Sequence, residues 1–429
     1  MKLKISLESV MRYILIISII LSASSMYGVV ENLHNMGISS YTFRKLTMIT
    51  AALFILLLLK KRMMIKKKQM MLICFVILYL GIYLLFTRIN VTSALEGMCI
   101  PFVLFLTILV VKDPKVWFVE VLGTYENIVV FLAGMSLVFY FGGVIFHIIP
   151  SMSMHYYNNG WWYFGDNYFY LHFTNHWQTY HIFGRTFMRN VGVFMEGPGF
   201  AVHLLIAVWW CLFGHGRLKK ARAVILFTTL ITTFTTKAFL IGAVITFIYI
   251  YSHASDKARF WKKVRWGVFP LVFAVVSVFS LYVLKTNIAS SAPGAGSWYI
   301  RMVDYAAAFK TWLDYPLFGA GFYNLQAVYE YYPSSFLRGD PTAGILNIFA
   351  YGGIYMFMLY FIGLWKYYTW ARHSPSGYVV KSFMIMVLML LFTSAMQYSY
   401  YFLLILSIGL SLSVEDRMSV LKKIDYFRG

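Results

Sequence analysis

Residues 46–86 read LTMITAALFILLLLKKRMMIKKKQMMLICFVILYLGIYLLF. Two apolar runs, near 43–59 and 70–86, enclose Lys60, Lys61, Arg62, Lys66, Lys67 and Lys68. Each run approaches the roughly 20 residues that carry an α-helix across the hydrocarbon core of a bilayer. Lys and Arg accumulate in short loops on the cytoplasmic side. The stretch reads as a transmembrane helical hairpin with its turn in the cytoplasm, and it sets the phase for the chain on either side.

Working outward, apolar runs and cationic clusters keep alternating. Spans are predicted near 13–30, 43–59, 70–86, 97–111, 128–149, 198–213, 223–236, 238–252, 267–284, 343–365, 382–397 and 399–414. That makes about twelve, or roughly ten to eleven if 223–252 is one broken helix or the last pair a re-entrant hairpin. With both termini cytoplasmic, most of the 37 Lys and Arg fall on the inner side. The run 13–30 lacks a convincing small-residue cleavage site and reads as a retained span. The expected fold class is therefore an all-α polytopic membrane protein, a single membrane domain over 1–429.

Composition agrees with a lipid solvent. Hydrophobic residues make up 60% of the chain and charged residues 12%, against roughly 25% charged in soluble domains. The net charge of +21 follows from the loop clusters, so topology accounts for it and no nucleic-acid partner is expected. Cys74, Cys99 and Cys211 lie in or beside apolar runs without metal-ligand spacing. No metal and no other cofactor is expected.

Two segments break the economy of short loops, 150–198 and 285–342, and both fall on the face opposite the cationic clusters. Long loops are functional or disordered, and these are too aromatic for disorder. The first carries Tyr156, Tyr157, Trp161, Trp162, Tyr163, Phe164, Tyr168, Phe169 and Tyr170. Aromatic faces stack on apolar sugar faces while Tyr and Trp donate hydrogen bonds. Trp161, Trp162 and Tyr163 are the candidate sugar contacts, against the plainer alternative of an interfacial aromatic belt. His155, His172, His176 and His181 read as sugar contacts or ordinary loop histidines.

The same loop ends in RNVGVFMEGPG, Arg189 to Gly199. Arg189 is placed to hold a phosphate bidentately. Glu196 serves either as a general base or as the residue that holds Arg189. A structural Arg–Glu pair capping the next span is the competing reading. Lys237 interrupts a long uncharged stretch, and an intramembrane cation generally faces a cavity or partner; a snorkelling lysine is the alternative. In the second loop, Trp298 to Leu313 has helical apolar spacing and carries Arg301, Asp304 and Lys310. Arg301 is thereby mounted on an ordered surface helix. Gly319 and Gly321 follow, then Arg338 and Asp340 lead into a late span.

At these segments the chain resembles the superfamily of O-antigen polymerases and O-antigen ligases, bacterial envelope glycosyltransferases. The ordered pattern is Arg189-x-x-Gly192-x-Phe194-x-Glu196-x-x-Gly199 ahead of a span, then Thr236-Lys237 within a hydrophobic pair, where the family often has Ser-Arg. It continues with Arg301, Gly319-x-Gly321, and Asp340 through Asn347 to Gly352-Gly353. The resemblance implies oligosaccharide substrates carried on undecaprenyl pyrophosphate, joined at the periplasmic face of the bacterial inner membrane. It implies Arg189, Arg301 and Lys237 at the pyrophosphate, and Glu196 or Asp340 activating the acceptor hydroxyl. It also implies membrane lipid and a chain-length regulator protein as partners. The ligase branch carries a histidine near the position of Asp340, but 285–342 contains no histidine, which favours the polymerase branch. A flippase is the rival from another class, and it calls for related halves and charges at mid-membrane.

Overall fold

The computed structural model describes residues 6–23, 25–60, 67–87, 89–111, 114–158, 161–182, 185–214, 219–253, 297–333, 341–372 and 377–412. In chain order the helices begin with α1 (Leu7–Leu21), α2 (Glu31–Asn35), α3 (Ser40–Lys60), α4 (Lys67–Thr87), α5 (Val91–Ala94), α6 (Ile100–Val111) and α7 (Pro114–Phe139). The strands β1 (Met152–Asn158), β2 (Trp161–Tyr168), β3 (His172–Phe173), β4 (Thr179–Ile182) and β5 (Arg185–Met188) follow. Then come α8 (Gly197–Phe213), α9 (Lys220–Thr232), α10 (Thr236–His253), α11 (Ser297–Asp314), α12 (Leu325–Tyr329), α13 (Gly344–Arg372), α14 (Gly377–Thr393) and α15 (Tyr400–Ser411).

Among the described residues, five helical segments are long and apolar enough to cross a membrane: Ser40–Lys60, Lys67–Thr87, Val91–Val111, Val116–Ile145 and Gly344–Arg372. Gly197–Phe213, Thr236–Ser252, Gly377–Thr393 and Tyr400–Ser411 are apolar but shorter. Two of the five include π-helical turns, Leu95–Cys99 between α5 and α6 and Tyr140–Ile145 after α7. The expected span 267–284, Asp340 and both chain ends lie outside the described residues.

Burial along these helices explains why they need lipid. On α4, Val76, Leu80, Tyr83 and Thr87 are buried at helical spacing, while Phe75, Leu78, Leu85 and Phe86 are more than half exposed. On α3, Leu53 and Leu56 are exposed in the same way. A contiguous apolar face of this kind is unfavourable in water and natural in hydrocarbon.

The chain divides into two compact units: Met1–Ala23, Tyr41–Thr124 and Trp298–Lys422 form one; Ser24–Ser40, Tyr125–Ser297 and Lys423–Gly429 the other. In unit 1, Arg12 of α1 reaches Glu120 at 2.5 Å and Thr124 at 3.0 Å on the first half of α7. The helix α13 kinks at Gly353, whose φ of 59° and ψ of −166° suit only glycine. The broken backbone is satisfied by the segment after α11. Ala320 N–H donates to Ala350 at 2.8 Å and Gly321 to Tyr351 at 3.2 Å, while Ile354 and Tyr355 donate to Pro316 and Leu317, both at 2.9 Å. A Cβ on Gly319 or Gly353 would strike the backbone of the other segment. The two glycine pairs of the sequence pattern thus meet in space, as a backbone crossing.

In unit 2 the long loop folds into an antiparallel sheet, β1-β2-β3, and a separate hairpin, β4-β5. This is a departure from the all-helical expectation, confined to the aromatic loop. Isolated bridges Ser25–Phe194 and Val30–Tyr156 tie the segment around α2 to it. In the same unit, α8, α9 and α10 pack against one another. Leu230 of α9 touches Gly242 of α10, so 223–252 is a helical hairpin with a break at Thr233–Thr235 and not one long helix.

Candidate functional site

The hairpin turn at Thr233–Thr235 brings the N-termini of α8 and α10 to the same end of unit 2. A Cβ on Gly197, at the start of α8, would lie 3.0 Å from the Thr233 carbonyl and 3.5 Å from the Arg189 side chain. Arg189 stands beside both helix starts for a local reason. Its own N–H donates to Gln178 at 2.9 Å, and the next residue, Asn190, donates its N–H to the Thr232 carbonyl at 3.0 Å. The buried Asn190 side chain donates to Thr232 Oγ1 at 3.0 Å and accepts from Ser136 at 2.5 Å and from Gly192 N–H at 3.2 Å. These bonds pin the Arg189 segment to the end of α9.

The Arg189 guanidinium lies 5.4 Å over the Tyr180 ring, a cation–π geometry. Its Nε makes no hydrogen bond among the described residues. Burial pushes the guanidinium below its ordinary range, and Tyr180 and Glu196 oppose that shift. Burial pushes the Tyr180 hydroxyl up to about 12. Glu196 is the N-cap residue of α8 with extended backbone and no side-chain capping bond. Its charge also reaches Tyr156, whose hydroxyl donates to Asn175 and accepts from Trp177 at 2.7 Å. Lys237 occupies the first turn of α10 and interacts electrostatically with His203, itself held by the Tyr125 hydroxyl at 2.5 Å.

Two helix N-termini, Arg189 and Lys237 therefore gather in one unit. Exposed N–H groups and the helix dipole make each N-terminus favourable to anions. Phe234, in the turn between α9 and α10, takes a positive φ of 47°, uncommon for a bulky residue. It stacks on Tyr180 at 5.6 Å. Sequence inspection pointed to Arg189, Glu196 and Lys237 but overlooked Asn190, Tyr180 and Thr232. The polar Asn190 beside Arg189 and the Thr-rich break were the available signals.

The aromatic loop is sorted by strand alternation. One face of β1-β2 presents Tyr157, Trp162 and Phe164, at 50, 55 and 59% exposure. Trp162 pairs with Tyr157 and Phe164 with His155 across the strands. Tyr163 lies on the other face, against Tyr156 at 5.4 Å and Trp177 at 5.7 Å. The expected sugar triplet is therefore split, because neighbours on a strand point oppositely. Trp162 is on the open face, Tyr163 is not, and the Trp161 side chain lies outside the described residues. Asp166 and His176 sit 2.9 Å apart.

His172 of β3 is fully buried, stacked on Phe139 at 6.4 Å, with neither ring nitrogen hydrogen-bonded among the described residues. Burial depresses its pKa to about 3, from roughly 6.5 in an unfolded chain. Between those values the unfolded chain holds more protons, so folding stability is lost as pH falls below ~6.5. Thermal unfolding in detergent is expected to show a loss of about 2 kcal/mol from pH 6.5 to pH 5, at about 1.4 kcal/mol per pH unit. His172→Phe should remove that slope; equal slopes in both proteins would refute the assignment.

Arg301 belongs to unit 1, whereas Arg189 belongs to unit 2. Its Nη1 donates to the Thr393 carbonyl at 2.9 Å, at the C-terminal end of α14, where a cation also complements the helix dipole. Asp304, one turn on, is buried and accepts from the Tyr332 hydroxyl at 2.6 Å, Thr342 N–H at 2.7 Å and Thr342 Oγ1 at 2.6 Å. It anchors the approach to α13, a role that sequence reading did not assign. Comparison with protein-family models and with curated proteins finds no match for this chain.

Proposed function

We propose that the protein is a glycosyltransferase that polymerises oligosaccharide units carried on undecaprenyl pyrophosphate, an O-antigen polymerase in type, at the periplasmic face of the bacterial inner membrane. The observation that carries this reading is Arg189 set beside the N-terminus of α8 and the turn that opens α10, with Lys237 in the first turn of α10, in a unit built on apolar helices. Such a site suits a phosphate borne by a membrane lipid. In the reaction, the acceptor hydroxyl oxygen attacks the anomeric carbon of the donor sugar. The bond from that carbon to the pyrophosphate oxygen breaks, and the pyrophosphate leaves with the electron pair. Arg189, Lys237 and the helix N-termini stabilise the charge that develops there. Glu196, within electrostatic reach of Arg189, takes the hydroxyl proton or holds the guanidinium; Asp340 is the other proposed base. A chain-length regulator and membrane lipid are the proposed partners.

The exposed face of Tyr157, Trp162 and Phe164 is the proposed sugar platform. Removing one stacking ring costs about 0.5–1.5 kcal/mol, so Trp162→Ala is expected to shorten the polymer and weaken oligosaccharide binding roughly threefold to tenfold. Gel ladders and fluorescence titration check this; unchanged ladders and binding would exclude the platform. The reading as a whole is tested by deleting the gene in its host. Surface glycan reduced to single repeat units supports polymerase. Complete loss of attached glycan indicates ligase or flippase instead.

A further inference from the structure

We propose that the open face of β1-β2 selects oligosaccharides that carry no acidic group, with Asp166 taking the hydroxyl or ammonium donors of the bound sugar. An oligosaccharide occupant rests on the polymerase reading, and the rings of Tyr157, Trp162 and Phe164 belong to the same site. The register of the two strands is unbroken. It pairs Tyr157 with Trp162, His155 with Phe164 and Ser153 with Asp166. Strand alternation therefore puts Asp166 on the face of Trp162 and Phe164. Residues of one face follow each other at roughly 6.8 Å along a strand, so a sugar ring stacked on Phe164 has its rim at the carboxylate.

The carboxylate is held from one side. Asp166 Oδ2 lies 2.9 Å from His176 Nε2 and accepts from Thr174 Oγ1 at 3.1 Å. Backbone bonds fix both neighbours. Thr174 N–H donates to the Asp166 carbonyl at 2.8 Å, and His176 N–H to the Phe164 carbonyl at 3.2 Å. Both side-chain bonds fall on Oδ2, and Oδ1 makes none among the described residues. A neutral imidazole that donates from Nε2 accepts at Nδ1. Asp166 Oδ1 and His176 Nδ1 are thus two acceptors at the edge of the rings, and the His176 side chain is half exposed. A sugar matches this pattern, with C–H faces for the rings and hydroxyl donors around its rim.

Charge chooses among sugars. A second carboxylate, Glu31, stands 3.8 Å from His155 of the same face. It is brought there by Tyr157 N–H, which donates to the Val29 carbonyl at 3.1 Å. Neither 13–43 nor 116–184, the stretches that supply α2 and this sheet, contains a Lys or Arg. An acidic sugar would meet Asp166 and Glu31 with no cation from these stretches to pair with, and like charges brought together select against it. The same balance argues against a membrane surface as the occupant. Aromatic faces that lie on membranes carry Lys and Arg, which meet anionic lipid.

The test is a glycan array carrying matched neutral, amino-bearing and uronic trisaccharides, probed with the full-length protein in detergent. Retention of neutral or amino-bearing glycans should exceed that of their uronic counterparts by about fivefold, the effect of one like-charge contact at about 4 Å in water. Asp166→Asn should lower the retention of neutral glycans several-fold. The double variant Glu31→Gln with Asp166→Asn should raise the retention of uronic glycans several-fold, a gain that a misfolded protein does not produce. Equal or stronger retention of uronic glycans by the unaltered protein, no retention of any glycan, indifference to Asp166→Asn, or no gain in the double variant would overturn the site. Retention is read independently of polymer ladders. Selective retention by a protein whose gene can be deleted without change to the host's glycan would remove the polymerase reading and keep the site. Ladders that collapse to single repeat units on deletion, with no selectivity on the array, would remove the site alone.

Discussion

Arg189→Ala is expected to abolish chain extension, lowering the transfer rate by about 10²- to 10³-fold, the effect of deleting one preorganised donor at a developing negative charge. Three features make this residue the most sensitive position. The guanidinium is largely buried, packed over Tyr180, and placed beside the starts of α8 and α10 by the Asn190 bonds to Thr232 and Ser136. Its Nε makes no hydrogen bond among the described residues, so its role is not fully accounted for by internal structure. Arg189→Lys keeps a charge but loses the planar fork, and recovery of a minor fraction of activity is expected. The measurement is ladder length in a complemented deletion strain, with detergent size-exclusion chromatography to show that the variants fold. Ladders of normal length from folded Arg189→Ala would eliminate the anion site.

Arg222→Ala is expected to be the most destabilising substitution on the described part of unit 2, by about 3–5 kcal/mol. Glu126 of α7 is completely buried, and Arg222 of α9 stands 3.3 Å from it and donates to Asn127 at 2.7 Å. Removing the guanidinium leaves a carboxylate in an apolar interior, where an uncompensated charge is costly. The reverse change is milder: Glu126→Gln removes the buried charge and leaves the 30% exposed Arg222 side chain access to water. The double variant Arg222→Ala with Glu126→Gln should recover at least half of the loss, because its buried group is neutral. Thermal unfolding in detergent reads all three. A double variant no more stable than Arg222→Ala would show that packing, not charge, holds α7 to α9.

The membrane character was legible because hydropathy is a local property. Runs such as 70–86 announce themselves, and α4 occupies Lys67–Thr87. The break between α9 and α10 was legible as an ambiguity, since Lys237 and the threonines mark a discontinuity without saying whether the chain turns back. The aromatic loop was misjudged in form. Its alternation over Met152–Asn158 and Trp161–Tyr168 is obscured because both faces carry rings, one buried against Trp177 and one open. Glu126 drew no notice, since one acid in an apolar run does not name its partner 96 residues away.

The amino-acid order by itself determined that the chain is mainly helical and apolar, because in lipid each helix satisfies its own backbone hydrogen bonds from within one segment. It also marked which few charged residues stand apart from the loop clusters. Only the tertiary structure decided their company. Arg189 meets Gly197 and Thr233, Arg301 meets the end of α14, and Gly319 crosses Gly353. Each of these contacts joins segments whose separation along the chain carries no local signal, so packing and not periodicity chose them.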